Sequence, residues 1–268
     1  MIDSWAAAVA AVAGGYLLGS IPVAVLAGRA RGFDPRQVGD HNPGFWNMKD
    51  QLGWAGAVPV LAGDTLKGTA AGLLGLILAH GSLQHGFLRP GLLGPGAPQG
   101  EALVYAAVAA AMIGHAWPVF ARLRGGRSVL TFAGGFAVIC PPAFGLGIAL
   151  CAGVALFTRS FAVGARTGVF AVPFLQLIFT PALEVAATGA LMSLIGVRFV
   201  TAALASRHQK GRRPGPDASR PPQPMTQQAS PQTPGPGAAT APRTEPGTPG
   251  SGGPARTAPA ESSRPSSG

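Results

Sequence analysis

The sequence GHAWPVFARLRGGRSVLTFAGG, residues 114–135, places a histidine, three arginines and a Gly-Gly pair between two apolar segments. Arginine is costly in the hydrocarbon of a bilayer but common in the short cytoplasmic loops between membrane-spanning helices. The stretch therefore predicts two apolar helices joined by a basic loop.

The composition extends this prediction to most of the chain. Of the 268 residues 47% are hydrophobic and 11% are charged, whereas a soluble domain carries about 25% charged residues. Residues 206–268 differ, because they are mostly Pro, Gly, Ser, Thr and Ala and offer little apolar surface to offset the entropy of ordering. We expect a transmembrane domain over residues 1–205 and a disordered tail over residues 206–268.

Apolar runs of about 20 residues, the length that crosses the hydrocarbon, recur along residues 1–205. Pro141 and Pro142 interrupt the fourth run and divide it into two helices. The first run has no preceding Lys or Arg and is too long for a cleaved signal peptide, so we expect it to be retained. The prediction is an all-α integral membrane bundle of about seven helices, built from residues 5–27, 53–79, 102–121, 129–157, 161–180 and 182–205.

Basic residues are distributed unequally between the two sets of loops. If the N-terminus lies outside, the long outer loop of residues 80–100 contains only Arg89. This asymmetry predicts an outer N-terminus and a cytoplasmic C-terminus. The predicted cytoplasmic segments contain Arg29, Arg31, Arg36, Lys49, Arg122, Arg124, Arg127, Arg159, Arg207, Lys210, Arg212 and Arg213.

The net charge of +10 does not indicate nucleic-acid binding. The basic residues flank apolar runs, and aromatic residues do not alternate with them as a base-stacking surface requires. Cys140 and Cys151 lie in apolar runs without metal-ligand spacing, so we expect no metal site and no cofactor.

The Gly125-Gly126 pair admits two interpretations. In the first, its backbone freedom lets N–H groups converge on an anion. A helix that starts at Ser128 and the guanidinium of Arg127 would then also attract a phosphate. The alternative is a tight turn with flanking positive charge.

A second polar segment, VGDHNPGFWNMKDQLG at residues 38–53, contains Asp40, Asn42 and Asn47. Such side chains either hold a backbone loop together or bind hydroxyl groups and phosphate oxygens. His208, after the last apolar run, is either a solvated residue at the membrane interface or a catalytic group.

Several ionisable residues lie inside the apolar runs. Asp64 and Lys67 are three residues apart on one helix face, where they either neutralise each other or have a functional role. Arg166, Glu184 and Arg198 are expected to face the bundle interior or water, because a charge facing lipid is costly.

Four segments together resemble the bacterial acyl-phosphate-dependent glycerol-3-phosphate acyltransferases, the PlsY family. The resemblance covers about residues 10–210, and its most specific part is similar to the family motif GHxxPVFxxFxGGKxVAT. The segments are YLLGSIP at 16–22, GDHNPGFWN at 39–47 (similar to GSGNxGAxN), DTLKG at 64–68 and GHAWPVFARLRGGRSVLT at 114–131.

This resemblance implies a seven-helix enzyme of the bacterial cell (inner) membrane that uses no cofactor. Similar proteins transfer a fatty acyl group from acyl-phosphate to the first hydroxyl of glycerol 3-phosphate, giving lysophosphatidate and phosphate. It implies Asp40 and His208 as catalytic residues. It implies as substrate- and phosphate-binding residues Asn42, Gly44, Asn47, Lys67, His115, Gly125, Gly126, Arg127, Ser128, Thr131 and Arg159.

The chain departs from the family pattern at four positions and lacks the later Glu of the family's third motif. Asp40 replaces the usual Ser, Asp50 the usual Arg, Arg127 the usual Lys and Gly211 the usual Asn. An arginine in place of lysine retains phosphate binding with a different geometry.

The carboxylate of Asp40 would repel anionic substrates unless a cation lies nearby, for which His41, Arg36 and Arg127 are candidates. Either this chain represents a subgroup that uses an aspartate, or its acyl transfer is impaired. The alternatives are therefore a protein of the same fold with another acceptor or donor, or a degenerate lipid-binding regulator. A small transporter fits less well, because the polar motifs collect at one face and no internal repeat is visible.

Overall fold

The computed structural model describes the backbone of residues 4–82 and 98–211 and the side chains of residues 5–79 and 100–205. Within these ranges the chain is helical and has no β-strand, as predicted for an all-α protein. A 3-10 turn, Val119–Ala121, follows the fourth helix. The α-helices of the described ranges are α1 (Ser4–Gly19), α2 (Val23–Arg29), α3 (Phe45–Ser82), α4 (Pro98–Ala116), α5 (Val129–Ile139), α6 (Pro141–Thr158), α7 (Phe161–Gln176) and α8 (Ala182–Gly211).

The first apolar run forms two helices, although its continuous apolar character predicts one. Pro22 has no N–H to donate, so the regular bonding of α1 stops at Gly19 and α2 starts at Val23. The Ser20 N–H still donates to the Tyr16 carbonyl at 2.9 Å, which is the last regular helical bond before the break.

A second break lies inside α3. Gly53 has φ 69° and ψ −168°, a conformation that glycine adopts far more easily than other residues. The predicted span began at this glycine, whereas the structure adds a helical segment before it, starting at Phe45.

The predicted break at the proline pair is confirmed. α5 ends at Ile139, Cys140 leaves the helical conformation, and Pro141 opens α6. Proline suits the first turn of a helix because the N–H groups there have no intrahelical acceptor.

Five helical segments of the described residues are long and apolar enough to cross a membrane. The helix α5 has 11 residues, or about 17 Å of rise, which is shorter than the roughly 30 Å of hydrocarbon in a bilayer. The helix α7 has 16 residues and is also shorter than the length that crosses it. The count of seven spans stays a prediction. The helix α8 continues past residue 205 to Gly211, and the predicted tail from residue 212 onward lies outside the described residues.

Close helix contacts position the central bundle of α1, α3, α4 and α5. Gly15 and Gly19 of α1 lie against backbone of α4, where a side chain would overlap the carbonyls of Ala107 and Ala111. The buried core between α4 and α5 contains Val104, Val108, Met112, Phe132 and Phe136. Large side chains elsewhere are exposed, as expected of a surface in contact with lipid, among them Leu156, Phe157, Phe170, Phe174 and Leu183.

Candidate active site

Three segments that are distant in sequence meet at one end of the bundle. They are the first loop (residues 30–44, between α2 and α3), the second loop (residues 117–128, between α4 and α5) and the C-terminal half of α8. Arg36 of the first loop donates through Nη1 to the Ala121 carbonyl of the second at 2.9 Å. The distribution of basic residues predicted that these segments lie on one side of the membrane, and the structure adds that they contact one another.

Asn47, at the start of α3, holds the first loop in place. Its Nδ2 group lies 2.8 Å from the Pro35 carbonyl, 3.1 Å from that of Val38 and 3.1 Å from that of Asn42. The side chain is 2% exposed. Of the two predicted interpretations, the contacts of this amide therefore favour loop stabilisation.

The guanidinium of Arg36 pairs with Asp34 and not with Asp40. Its Nη2 lies 2.6 Å from Oδ2 of Asp34, and its Nε lies 2.9 Å from Oδ1. The hydrogen bond from this guanidinium lowers the pKa of Asp34 from 3.8 to about 2 and raises the pKa of Arg36. Arg36 is thus already neutralised within its own loop.

The cation that compensates Asp40 is Arg127 of the second loop. Their Nη1 and Oδ2 atoms are 3.1 Å apart, and both side chains are partly exposed. The other carboxylate oxygen, Oδ1, accepts a hydrogen bond from the Asn42 backbone N–H at 3.1 Å. The third candidate, His41, instead lies with Nδ1 3.3 Å from the Arg36 carbonyl.

The glycine pair of the second loop packs against the end of α4. The Gly125 N–H donates to the Ala116 carbonyl at 3.2 Å, and the Gly126 N–H donates to the His115 carbonyl at 3.1 Å. The expectation that these two N–H groups converge on an anion is wrong for this arrangement, because helix carbonyls already accept both.

Glycine is required at these positions by close approach, since neither residue has a positive φ. A Cβ atom at Gly125 would overlap the His115 carbonyl oxygen, and one at Gly126 would overlap the His115 imidazole at Nε2. The left-handed conformations of the second loop instead fall on Arg122, Leu123 and Ser128.

Ser128 and Thr131 are both buried at the start of α5. The Ser128 hydroxyl donates to the Met112 carbonyl at 2.7 Å, so it ties the second loop to α4. The Thr131 hydroxyl has no hydrogen-bond partner among the described residues. The predicted anion-binding role of the Ser128 side chain is therefore replaced by a structural bond.

Beneath the second loop lies a buried group of three ionisable side chains. Asp64 Oδ1 is 2.9 Å from Lys67 Nζ and 3.5 Å from His115 Nδ1. Lys67 also donates to the Ile21 carbonyl at the break between α1 and α2, at 3.1 Å. The predicted pairing of Asp64 with Lys67 is confirmed, and the lysine additionally reaches another helix.

These three side chains line a narrow cleft between the two loops. Arg124 also lines this cleft, as do apolar residues from the start of α2. The full lining consists of Gly19, Ile21, Pro22, Val23, Ala24, Val25, Pro43, Asp64, Lys67, His115, Pro118, Arg124, Gly125 and Gly126.

The remaining predicted residues are less closely associated with the cleft. Gly44 lies in the turn before α3, where its N–H donates to the Asn42 carbonyl at 2.9 Å. Arg159 ends α6 in a left-handed conformation with an exposed side chain, and no described contact joins it to the cleft. The backbone at His208 belongs to α8, and its side chain lies outside the described residues.

One residue of this region was not predicted as part of the site. Arg198 of α8 donates to the carbonyls of Gly126 and Gly125 at 3.2 and 3.1 Å. The available signal was an arginine inside an apolar span, which indicated a polar partner without identifying it.

Comparisons with known proteins identify the relatives of this chain. The sequence model of the family described as glycerol-3-phosphate acyltransferase matches residues 9–212. The glycerol-3-phosphate acyltransferase of Rubrobacter xylanophilus is 40% identical over 166 residues, which are 61% of this chain and 73% of that protein. Glycerol-3-phosphate acyltransferase 2 of Moorella thermoacetica is 33% identical over 165 residues, 61% of this chain and 75% of that protein.

The fold is also similar to a solved structure. The crystal structure of PlsY, an integral membrane glycerol 3-phosphate acyltransferase, in its glycerol 3-phosphate form superposes with a TM-score of 0.58 at 25% identity. The superposition covers 77% of this chain and 94% of that one.

Proposed function

Because this chain belongs to the glycerol-3-phosphate acyltransferase family, we propose that its acyl donor is an acyl-phosphate and that its substrates meet at the cleft between the two loops. The protein is a multi-pass membrane acyltransferase of phospholipid synthesis. The proposed reaction gives lysophosphatidate and inorganic phosphate from acyl-phosphate and glycerol 3-phosphate.

The observation that carries this proposal is the position of Arg127 at the junction of the two loops. Its guanidinium has one close anionic partner, the exposed Asp40, and its Nε is buried without a hydrogen-bond partner among the described residues. Arginine binds phosphate oxygens through two parallel N–H bonds. Arg124, which follows Leu123 in the same loop, adds positive charge to the lining of the cleft.

The chemistry requires little from the protein beyond binding. Acyl-phosphate is an activated donor, so the acceptor needs mainly orientation, neutralisation of the phosphate charges and a proton acceptor. The hydroxyl oxygen forms a bond to the acyl carbon, and the bond from that carbon to the phosphate oxygen breaks. The hydroxyl proton passes to the departing phosphate or to His208.

We assign to Asp40 the orientation of the acceptor. A carboxylate accepts hydrogen bonds from hydroxyl groups, and the 3.1 Å contact with Arg127 offsets its repulsion of a phosphate. Asp40 would thus replace the serine that is usual in the family.

We infer that the chain lies in the bacterial cell (inner) membrane with its N-terminus outside and its C-terminus in the cytoplasm. The basic residues of both loops, at the end of the bundle that carries the cleft, support this orientation. Both substrates would then reach the cleft from the cytoplasmic side.

The test is an assay of the full chain purified in detergent, following phosphate release from acyl-phosphate and formation of lysophosphatidate. We expect product with acyl-phosphate and glycerol 3-phosphate, and none when an acyl thioester replaces the donor. Glycerol, which lacks the phosphate, serves as the acceptor control. Transfer to glycerol at an equal rate would contradict a phosphate-binding role of the cleft, and transfer from the thioester would contradict the proposed donor.

A further inference from the structure

The helix α8 contacts the second loop through two consecutive residues, Arg198 and Phe199. The Arg198 guanidinium donates through Nε to the Gly126 carbonyl at 3.2 Å and through Nη2 to the Gly125 carbonyl at 3.1 Å. It also stacks on the Trp117 ring, 5.0 Å from the ring centroid. A single side chain therefore satisfies both carbonyls of the glycine pair.

These bonds matter for the electrostatics of the loop. The N–H groups of Gly125 and Gly126 donate to carbonyls of α4, so only the carbonyl oxygens of the pair face other partners. Carbonyl oxygens carry partial negative charge and, without a donor, would both be costly to bury and repel a bound phosphate. The positive charge of Arg198 removes both penalties.

Phe199 contacts Arg127, the arginine that follows the glycine pair in the second loop. The Arg127 guanidinium lies over the Phe199 ring, 4.6 Å from its centroid, while its Nη1 contacts Asp40. Successive residues of a helix point about 100° apart. Arg198 can therefore engage the glycine pair while Phe199 supports the guanidinium next to it.

We propose that Arg198 and Phe199 are positioning residues for phosphate binding by the second loop. Arg198 holds the backbone of the glycine pair and neutralises its carbonyls, and Phe199 fixes the plane of the Arg127 guanidinium. Through these two contacts α8 sets the geometry in which the second loop receives an anion. This inference rests on the proposed function, because it takes the phosphate of glycerol 3-phosphate to bind at the second loop.

The experiment compares variants of the full chain in detergent by steady-state kinetics and by equilibrium binding of glycerol 3-phosphate and of inorganic phosphate. Arg198→Met removes the donors, and Arg198→Lys keeps the charge with a single donor group. Phe199→Leu removes the ring, and Phe199→Tyr keeps it. The matched control is Arg166→Met, which removes an exposed arginine of α7 and so changes the net charge equally.

We expect Arg198→Met to raise both the KM and the dissociation constant for glycerol 3-phosphate by about tenfold to hundredfold, the range of lost hydrogen bonds to a charged group. Arg198→Lys should lie between this variant and the wild type. Phe199→Leu should raise the same constants by about twofold to fivefold, as a lost cation–π contact predicts, and Phe199→Tyr should match the wild type. The KM for acyl-phosphate should change less than the KM for glycerol 3-phosphate. A general loss of folded protein would not produce this difference between the two substrates.

Unchanged glycerol 3-phosphate binding in Arg198→Met, or an equal weakening in Arg166→Met, would overturn the inference. If Arg198→Met does not fold, the comparison of Phe199→Leu with Phe199→Tyr decides, and equal constants in that pair contradict the proposal. A wild type that binds glycerol 3-phosphate without turnover would contradict the proposed function alone, since the binding constants still test the role of α8.

Discussion

The Arg127 guanidinium and the Asp40 carboxylate form an ion pair, with Nη1 and Oδ2 3.1 Å apart, that joins the second loop to the first. Ion pairs between partly exposed side chains contribute only about 0–1 kcal/mol to stability. We therefore expect loss of this pair to affect the arrangement of the two loops more than the stability of the fold.

Replacing Asp40 tests this role directly. We expect Asp40→Ala to reduce turnover by roughly tenfold to thousandfold, the range for loss of a positioning or proton-handling group, while the melting temperature stays nearly constant. Asp40→Ser, which restores the usual residue of the family, should retain appreciable activity. The measurement is phosphate release in detergent, with Asp50→Ala as a control for loss of an exposed carboxylate.

Two outcomes would change the interpretation of the first loop. An inactive wild type that gains acyl transfer through Asp40→Ser would make this chain a degenerate member of the family. If neither substitution alters turnover, the first loop is a structural turn.

Replacing Arg127 separates charge from geometry. Arg127→Lys keeps a cation near Asp40, so we expect it to be tolerated, although it loses the planar contact with Phe199. Arg127→Ala should raise the KM for glycerol 3-phosphate by tenfold or more, roughly the effect of losing a charge-assisted bond to phosphate. Arg122→Ala removes another, exposed arginine of the same loop and is the control. Equal KM values for Arg127→Ala and the control would contradict the assignment.

The two glycines of the second loop should respond differently to alanine. At Gly126 the new methyl group meets the buried His115 imidazole, so the ring or the second loop must shift, and we expect a higher KM for glycerol 3-phosphate with a smaller loss of folded protein than at Gly125. At Gly125 it meets the His115 backbone carbonyl, which cannot yield, so Gly125→Ala should lower the melting temperature and the amount of folded protein. Thermal melting and KM values check both. A Gly126→Ala protein with an unchanged KM would favour a plain turn.

The ion pair of Asp34 with Arg36 predicts a pH dependence of stability. Because the pKa of Asp34 falls from 3.8 to about 2 in the folded protein, its contribution is complete above pH 3.8 and is lost as the pH falls toward about 2. Asp34→Asn removes this contribution. We expect the wild type to melt higher than the variant at about pH 5, with the difference shrinking below pH 3.8. A difference that is constant between about pH 5 and 2 would show that the ion pair is not its source.

The predicted tail is expected to be dispensable. Removing residues 209–268 should leave insertion and activity intact, because the composition of this segment offers no apolar core. Removing His208 as well should be more harmful. Both truncations are assayed on membrane-inserted protein in equal amounts, and loss of activity on removing residues 209–268 alone would assign the tail a function.

Hydropathy and proline predicted the features that depend on local sequence. They placed the apolar helices and the break before Pro141. Both signals, the length of an apolar run and the missing N–H of a proline, depend only on residues that are close together in sequence. The i, i+3 spacing likewise predicted the pairing of Asp64 with Lys67. The effect of Pro22 was underestimated, since apolar residues continue on both sides of the break.

Contacts between distant segments were not predictable in the same way. Three cations were candidates for Asp40, and only the approach of the two loops selects Arg127. The need for glycine at 125 and 126 comes from the end of α4, not from a turn conformation. The sequence showed that Arg198 lies in an apolar span and needs a polar partner. Its acceptors are the carbonyls of Gly125 and Gly126, which it reaches only because α8 packs against the second loop.

The bond from Lys67 to the Ile21 carbonyl has a consequence for biogenesis. The C-terminal end of α1 carries partial negative charge, which an ammonium group stabilises. Since α3 is synthesised after α1 and α2, the break at Pro22 meets its cation only once a later segment has emerged from the ribosome. We therefore expect the break between α1 and α2 to reach its final surroundings only after α3 has joined the two earlier helices.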